Sequence, residues 1–191
     1  MRFNGSAFNV DVSGLQSTIF DPSIVNLFFS DNAANATIRG VEGDFTYYTN
    51  IEGLSVAGAF SLLNSNIDDK LVPTDDVVVG SELAFAPGHQ GNIRIRKETG
   101  MAGGNVGHIQ VQYTFSDKSY SDIMEPNKAK QDSYSYIDLR AGISNDELTA
   151  ELYVDNVTDE RAEISNTFVF DRQRIAYIRP TTIGIRVKKN F

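Results

Sequence analysis

Cysteine and tryptophan are absent from this chain of 191 residues, and histidine occurs only twice. Without cysteine there is no disulfide, no thiolate chemistry and none of the common structural zinc sites. Long apolar runs are missing as well: nothing approaches the roughly 20 consecutive apolar residues of a spanning helix. Basic residues are the minority, 17 Lys and Arg against 25 Asp and Glu, for a formal charge of −8. That balance disfavours nucleic acid, whose phosphates need cationic partners. Enzyme motifs are lacking too, with no Gly-x-Ser-x-Gly elbow, no Walker loop and no His-Glu-x-x-His. The Gly100-Met101-Ala102-Gly103-Gly104 cluster reads as a turn. No cofactor or metal site follows, and the chain reads as non-enzymatic. A basic and apolar leader is also missing, because Met1 to Val10 already alternates as a strand does. The expectation is a protein that is not exported or a piece of a longer one.

What is present is alternation, with 41% hydrophobic residues that include 12 Phe and 8 Tyr. Strands are expected near 7–20, 35–49, 53–67, 91–98, 105–117, 134–144, 147–157 and 180–191. Their connections sort by parity. Residues 21–34, 68–90, 118–133 and 158–179 form long polar links, whereas the turns around Asn50-Ile51-Glu52, Thr99 to Gly104 and Asn145-Asp146 are tight. A membrane barrel has this asymmetry, since every second connection lies on the same side of the bilayer. The run Val77-Val78-Val79 within the second long link reads as loop.

The strand faces point the same way. Leu148, Ala150, Leu152 and Val154 alternate with Thr149, Glu151, Tyr153 and Asp155. Ile109, Val111, Tyr113 and Phe115 oppose His108, Gln110, Gln112 and Thr114, and Ile137, Leu139, Ala141 and Ile143 oppose Tyr136, Asp138 and Arg140. Such strands carry an apolar face outward and a polar face toward a wet lumen. In the first strand Phe8, Val10 and Val12 share a face, but Leu15 and Ile19 fall on the other parity, so a bulge or the edge of the bilayer is expected near Gly14. At the C-terminus Ile183, Ile185, Val187 and Phe191 oppose Gly184, Arg186 and Lys188. Tyr47, Tyr48 and Phe191 suit an aromatic girdle at the periplasmic interface.

Several motifs resemble those of TonB-dependent outer-membrane receptors. Leu152-Tyr153-Val154-Asp155-Asn156-Val157-Thr158-Asp159 looks like the family's penultimate strand running into its last external loop. Arg179-Pro180-Thr181-Thr182-Ile183-Gly184 through Phe191 is similar to its closing strand. Upstream, Asn35-Ala36-Thr37-Ile38-Arg39-Gly40-Val41-Glu42 and Leu83-Ala84-Phe85-Ala86-Pro87 through Asn92 resemble two further family strands, so the likeness covers nearly the whole chain.

The resemblance implies an all-β antiparallel up-and-down meander of about eight strands, residues 1–191 being the C-terminal portion of a transmembrane barrel. The family barrel has about 22 strands and a plugged lumen, so the plug domain and the N-terminal strands are expected to be absent and the last strand to keep a free edge. It further implies uptake of a scarce nutrient, a ferric siderophore foremost, in the outer membrane of a Gram-negative cell. The implied partners are outer-membrane lipid, the barrel assembly machinery, and the TonB system through the missing plug. Gly184, Val187 and Phe191 would carry the assembly signal.

Arg172 and Arg174, with Arg179 and interleaved with Phe168, Phe170 and Tyr177, suit an anionic ligand through charge and stacking. Arg172, Arg174 and Tyr177 are therefore the ligand-binding candidates, against the alternative that these arginines pair with acids of their own loop, Asp171 among them. The acidic groups Asp68, Asp69, Asp75, Asp76 and Asp155, Asn156, Asp159 match no calcium-loop spacing, and His89 and His108 read as solvated side chains. Two other readings fit the alternation: a complete small outer-membrane barrel with a structural or adhesive role, and a soluble β-sandwich binding module.

Overall fold

The computed structural model describes residues 1–21, 27–169 and 172–189. Alternating β-branched, aromatic and polar residues build eight long strands: β1 (Arg2–Asp21), β2 (Leu27–Tyr48), β3 (Leu54–Lys70), β4 (His89–Gly100), β5 (Val106–Ser116), β8 (Tyr134–Ser144), β9 (Leu148–Asp155) and β12 (Thr182–Lys189). They form one antiparallel sheet in sequence order. Two short hairpins stand apart from it, β6 (Ser119–Tyr120) with β7 (Lys130–Gln131) and β10 (Glu163–Val169) with β11 (Arg172–Tyr177). A sandwich needs two sheets packed face to face; here the long strands share a single one. Among the described residues β1 and β12 do not pair, so the sheet stays open.

Turn chemistry sets the tight end. Gly53, Gly103 and Gly104 adopt positive φ, which costs glycine nothing. At the third turn, Asn145 Oδ1 accepts the amide N–H groups of Glu147 and Leu148 at 3.0 and 2.8 Å, a side chain standing in for a backbone turn. The opposite end holds residues 71–88, 117–133 and 156–181.

One expected loop is strand instead. Residues 21–34 were expected as a polar link, but β1 and β2 stay paired as far as Asp21 with Leu27. Ser30, Asp31 and Asn32 on β2 are exposed, whereas Ile19, Ala33 and Ala34 beside them are buried. The expected link 158–179 likewise contains the β10–β11 hairpin. Gly14 does form the predicted irregularity: its φ is +68° and the β1–β2 register shifts between Val12 and Leu15.

The buried apolar cluster lies at the loop end rather than in the middle of the sheet. Ile19, Ala33, Ala34, Ile67, Val77, Ile123 and Met124 pack together, with Leu15, Val72, Leu83 and Ala84 against them. Residues 71–88 and 117–133 are joined there by a bridge between Val77 and Met124 and by the Phe85 amide donating to the Tyr120 carbonyl at 2.7 Å.

Candidate functional site

Strand register brings the apolar residues into continuous rows. Tyr47, Val56, Ile95, Val111, Leu139, Val154 and Ile183 follow one another across seven strands, each paired with the next. All project to the same face. Ile183 and Ile185 are 70% and 74% exposed, whereas His108 and Gln110 on the other face are 6% and 8% exposed. Burying the polar side chains and baring the aliphatic ones reverses the order of a soluble protein; apolar surroundings for that face remove the contradiction.

The limits of the apolar face cut across the register at a slant. Ile183 lies in register with Val56, six residues below Leu62, the last apolar residue of β3 on this face. Five strand spacings separate β3 from β12. A drop of about 20 Å over about 24 Å of sheet width gives a strand tilt of about 40°, inside the range of membrane barrels. At the tight end Lys97 sits on the same face and its ammonium turns back to the Glu52 carbonyl, keeping the charge at the margin.

On the polar face Glu151 is a hub. Its carboxylate accepts from His108 Nε2 at 3.1 Å and from Arg140 and Arg186 Nη1 at 3.3 and 3.4 Å, and Arg140 also reaches Asp155 at 3.1 Å. This cluster spans β5, β8, β9 and β12. It escaped the sequence reading, which treated His108 as a solvated side chain, because its members meet only through register. On the same face the small side chains Ala59 and Ser61 on β3 leave a hollow of about 630 Å³ edged by Glu42, Asp44, Asn92 and Thr114.

Phe8, Val10 and Val12 do share a face, and it is the polar one, alongside Asn4 and Ser6. Tyr47 and Tyr48 alternate across the sheet rather than forming one girdle. Tyr47 lies in the apolar row and Tyr48, 74% exposed, beside the turn.

The arginine candidates occupy β11. Arg172 and Arg174 are exposed and share one face of the β10–β11 hairpin, opposite Val169 and Thr167. Tyr177 falls on the other parity, where its hydroxyl donates to Glu163 at 3.5 Å; Glu163 also accepts from Asn166, which accepts from Gln173. The structure thus brings the two arginines together and leaves Tyr177 apart from them. Phe170, Asp171 and Phe191 lie outside the described residues, as does the side chain of Phe168.

In the closing strand, Gly184 faces the polar side against Tyr153, and Val187 the apolar side opposite Ala150. The Asp155-Asn156 motif ties this strand down. Asn156 is buried with φ +52°. Its amide donates to the carbonyls of Glu160 and Arg179, and its Oδ1 accepts the Glu160 amide. The Thr181 hydroxyl donates to the Asn156 carbonyl at 2.7 Å. Among the described residues no three metal-ligating side chains converge.

The family model described as TonB dependent receptor-like, beta-barrel matches residues 1–157. Among solved structures, the ferric yersiniabactin uptake receptor FyuA from Yersinia pestis superposes with a TM-score of 0.78 at 17% identity, over 99% of this chain and 27% of that one. The ferric preacinetobactin receptor BauA from Acinetobacter baumannii gives 0.71 at 18% identity, over 97% and 26%. The siderophore receptor PiuA from the same species gives 0.70 at 14% identity, over 97% and 25%. At these identities the likeness is one of fold. The chain spans about a quarter of the length of these receptors. No curated protein sequence matches it.

Proposed function

This chain belongs to the TonB-dependent receptor β-barrel family, and from that premise we propose that it forms wall and external loops of an outer-membrane receptor that takes up a scarce nutrient of the ferric siderophore class. The reading rests on one observation above the rest, the registered apolar row from Tyr47 to Ile183 on the face opposite the buried His108 and Gln110 and the partly buried Glu151. Lipid explains the first face and a wet lumen the second.

In this reading residues 1–191 are the C-terminal part of the wall. The plug, its contact with the TonB system and the other strands belong to the remaining three quarters of a receptor of that length. The open edges of β1 and β12 need neighbours, since unpaired backbone groups cannot persist in lipid. Gly184, Val187 and Phe191 serve the barrel assembly machinery. Arg172 and Arg174 meet an anionic ligand at the external end, and Tyr177 orients Glu163 rather than stacking on that ligand.

The test is uptake. In a strain whose receptor carries this chain, deleting the gene should abolish accumulation of at least one radiolabelled ferric siderophore from a chemically varied panel. Unchanged uptake of every member would overturn the reading.

A further inference from the structure

The two faces of β1, β2 and β3 exchange character partway along the strands. Up to the row Ala7, Val41, Leu62 the outward face is apolar. The next two rows on that face are Asn9, Arg39, Asn64 and Asp11, Thr37, Asn66. They bond to one another: across strands Arg39 Nε donates to Asn9 at 2.8 Å and Thr37 to Asp68 at 2.6 Å, and along β3 Asn66 donates to Asn64 at 2.6 Å. On the inward face the change runs the other way. Below the exchange stand Asn4, Asp44 and Ser6, Glu42, Ser61; above it stand Val10, Ile38, Ser65 and Val12, Ala36, Ile67, with Ala36 and Ile67 each 1% exposed.

We infer that the acyl-chain region of the bilayer ends between these rows, and that the ladder Asn9, Asp11, Thr37, Arg39, Asn64, Asn66 and Asp68 faces the polar headgroup layer of the outer leaflet. This rests on the membrane reading above and adds where the membrane stops. Continuity carries it: the ladder prolongs the lipid-facing surface without a break, and the first change of chemistry along that surface is from hydrocarbon to amide, hydroxyl and charge. Its two carboxylates and one guanidinium leave it close to neutral, so it suits hydroxyl-bearing groups better than a dense array of phosphates. Beyond it the strand pair behaves as soluble protein does, apolar inside and polar outside, and residues 71–88 and 117–133 supply the core it packs on. Twelve residues from Asn9 to Asp21 carry β1 onward by about 40 Å, or about 30 Å above the boundary at the tilt found here.

Cysteine scanning tests this, the chain having no cysteine of its own. Single variants Ala7→Cys, Val41→Cys, Leu62→Cys, Asn9→Cys, Asn64→Cys and Asn66→Cys are made in the full receptor, with Ile95→Cys and Leu139→Cys from the central row. A charged, membrane-impermeant maleimide is added to intact cells, and fluorescent adducts made in detergent are reconstituted with lipids brominated on the acyl chains. Asn9, Asn64 and Asn66 should label at least about tenfold faster than Ala7, Val41 and Leu62, because thiol reaction follows access; the latter three should be quenched. Equal labelling of the two sets, or quenching at Asn64 and Asn66, overturns the boundary. Full labelling at Ile95 and Leu139 overturns the membrane reading itself, a separate outcome.

Discussion

The ring of Tyr153 occupies the space that a side chain at Gly184, its registered partner on β12, would need. The guanidinium groups of Arg140 and Arg186 each lie 5.8 Å from the ring centre, so the ring is held from the strands on either side, β8 and β12. Related pairs recur in the sheet: Phe45 covers Gly58, Phe60 covers Gly43, Phe115 covers Gly91 and His108 covers Gly142. Aromatic cover over a cross-strand glycine restores packing that the glycine lacks.

Replacing Gly184 by alanine should therefore cost about 1–3 kcal/mol through overpacking, read as a lower midpoint for urea unfolding in detergent. Adding Tyr153→Ala should recover part of that loss, since residues in contact couple. Additive costs in the double variant would show that the ring does not set the requirement at Gly184.

Removing the hub should cost more than removing one spoke. Glu151→Ala removes the carboxylate that His108, Arg140 and Arg186 share and leaves Arg140 only Asp155, and about 2–4 kcal/mol is expected from uncompensated partners on a partly buried face. Arg186→Ala, whose side chain is 63% exposed, should cost under about 1 kcal/mol. Equal losses in the two variants would contradict the hub.

Asn156→Ala should free the start of β12. The variant loses the side-chain bonds to Glu160 and Arg179 and keeps a positive φ that alanine disfavours, an expected cost of about 2–4 kcal/mol. Limited proteolysis should cut residues 158–181 faster than in the wild type. Asn156→Gly relieves only the backbone and should restore a minor share of the resistance.

The long loops should loosen in alkali. The Glu82 carboxylate hydrogen-bonded to Lys118 raises the lysine pKa above its ordinary 10.5. The stabilisation is complete below that ordinary value and is lost as pH rises through the raised one. Both side chains are more than a third exposed, so the effect stays below about 1 kcal/mol. Amide exchange at residues 71–88, corrected for intrinsic rate, should accelerate above pH 10.5 in the wild type and show no such step in Lys118→Met.

Much of this architecture is written in period-two alternation. The apolar rows of β5, β8 and β9, the long links after β3, β5 and β9 and the irregularity at Gly14 can all be read from residue order. The Asn156 motif can be read as a family signature, though its physical task, tying β9 to β12, needs the fold. What stays hidden depends on register or on surroundings. Gly184 and Tyr153 are 31 positions apart, and nothing local says that one lies over the other. The long reach of β1 and β2 is hidden for another reason: beyond Ala7 and Val41 the strands leave the hydrocarbon, polar and apolar faces trade places, and exposed polar residues that read as loop, Ser30, Asp31 and Asn32, belong to a strand pair.

The membrane reading requires that one face of this sheet meet lipid and the other water. Val111 and Gln112 are neighbours on β5 that point to opposite faces, Val111 in the middle of the apolar row and Gln112 in register between Arg94 and Asp138. Stability and surface assembly of the full receptor should be compared for Val111→Arg and Gln112→Arg. Val111→Arg should lose about 2–4 kcal/mol and assemble poorly, with Gln112→Arg close to wild type. Tolerance of arginine at both positions, or a larger loss at Gln112, would contradict that assignment of faces.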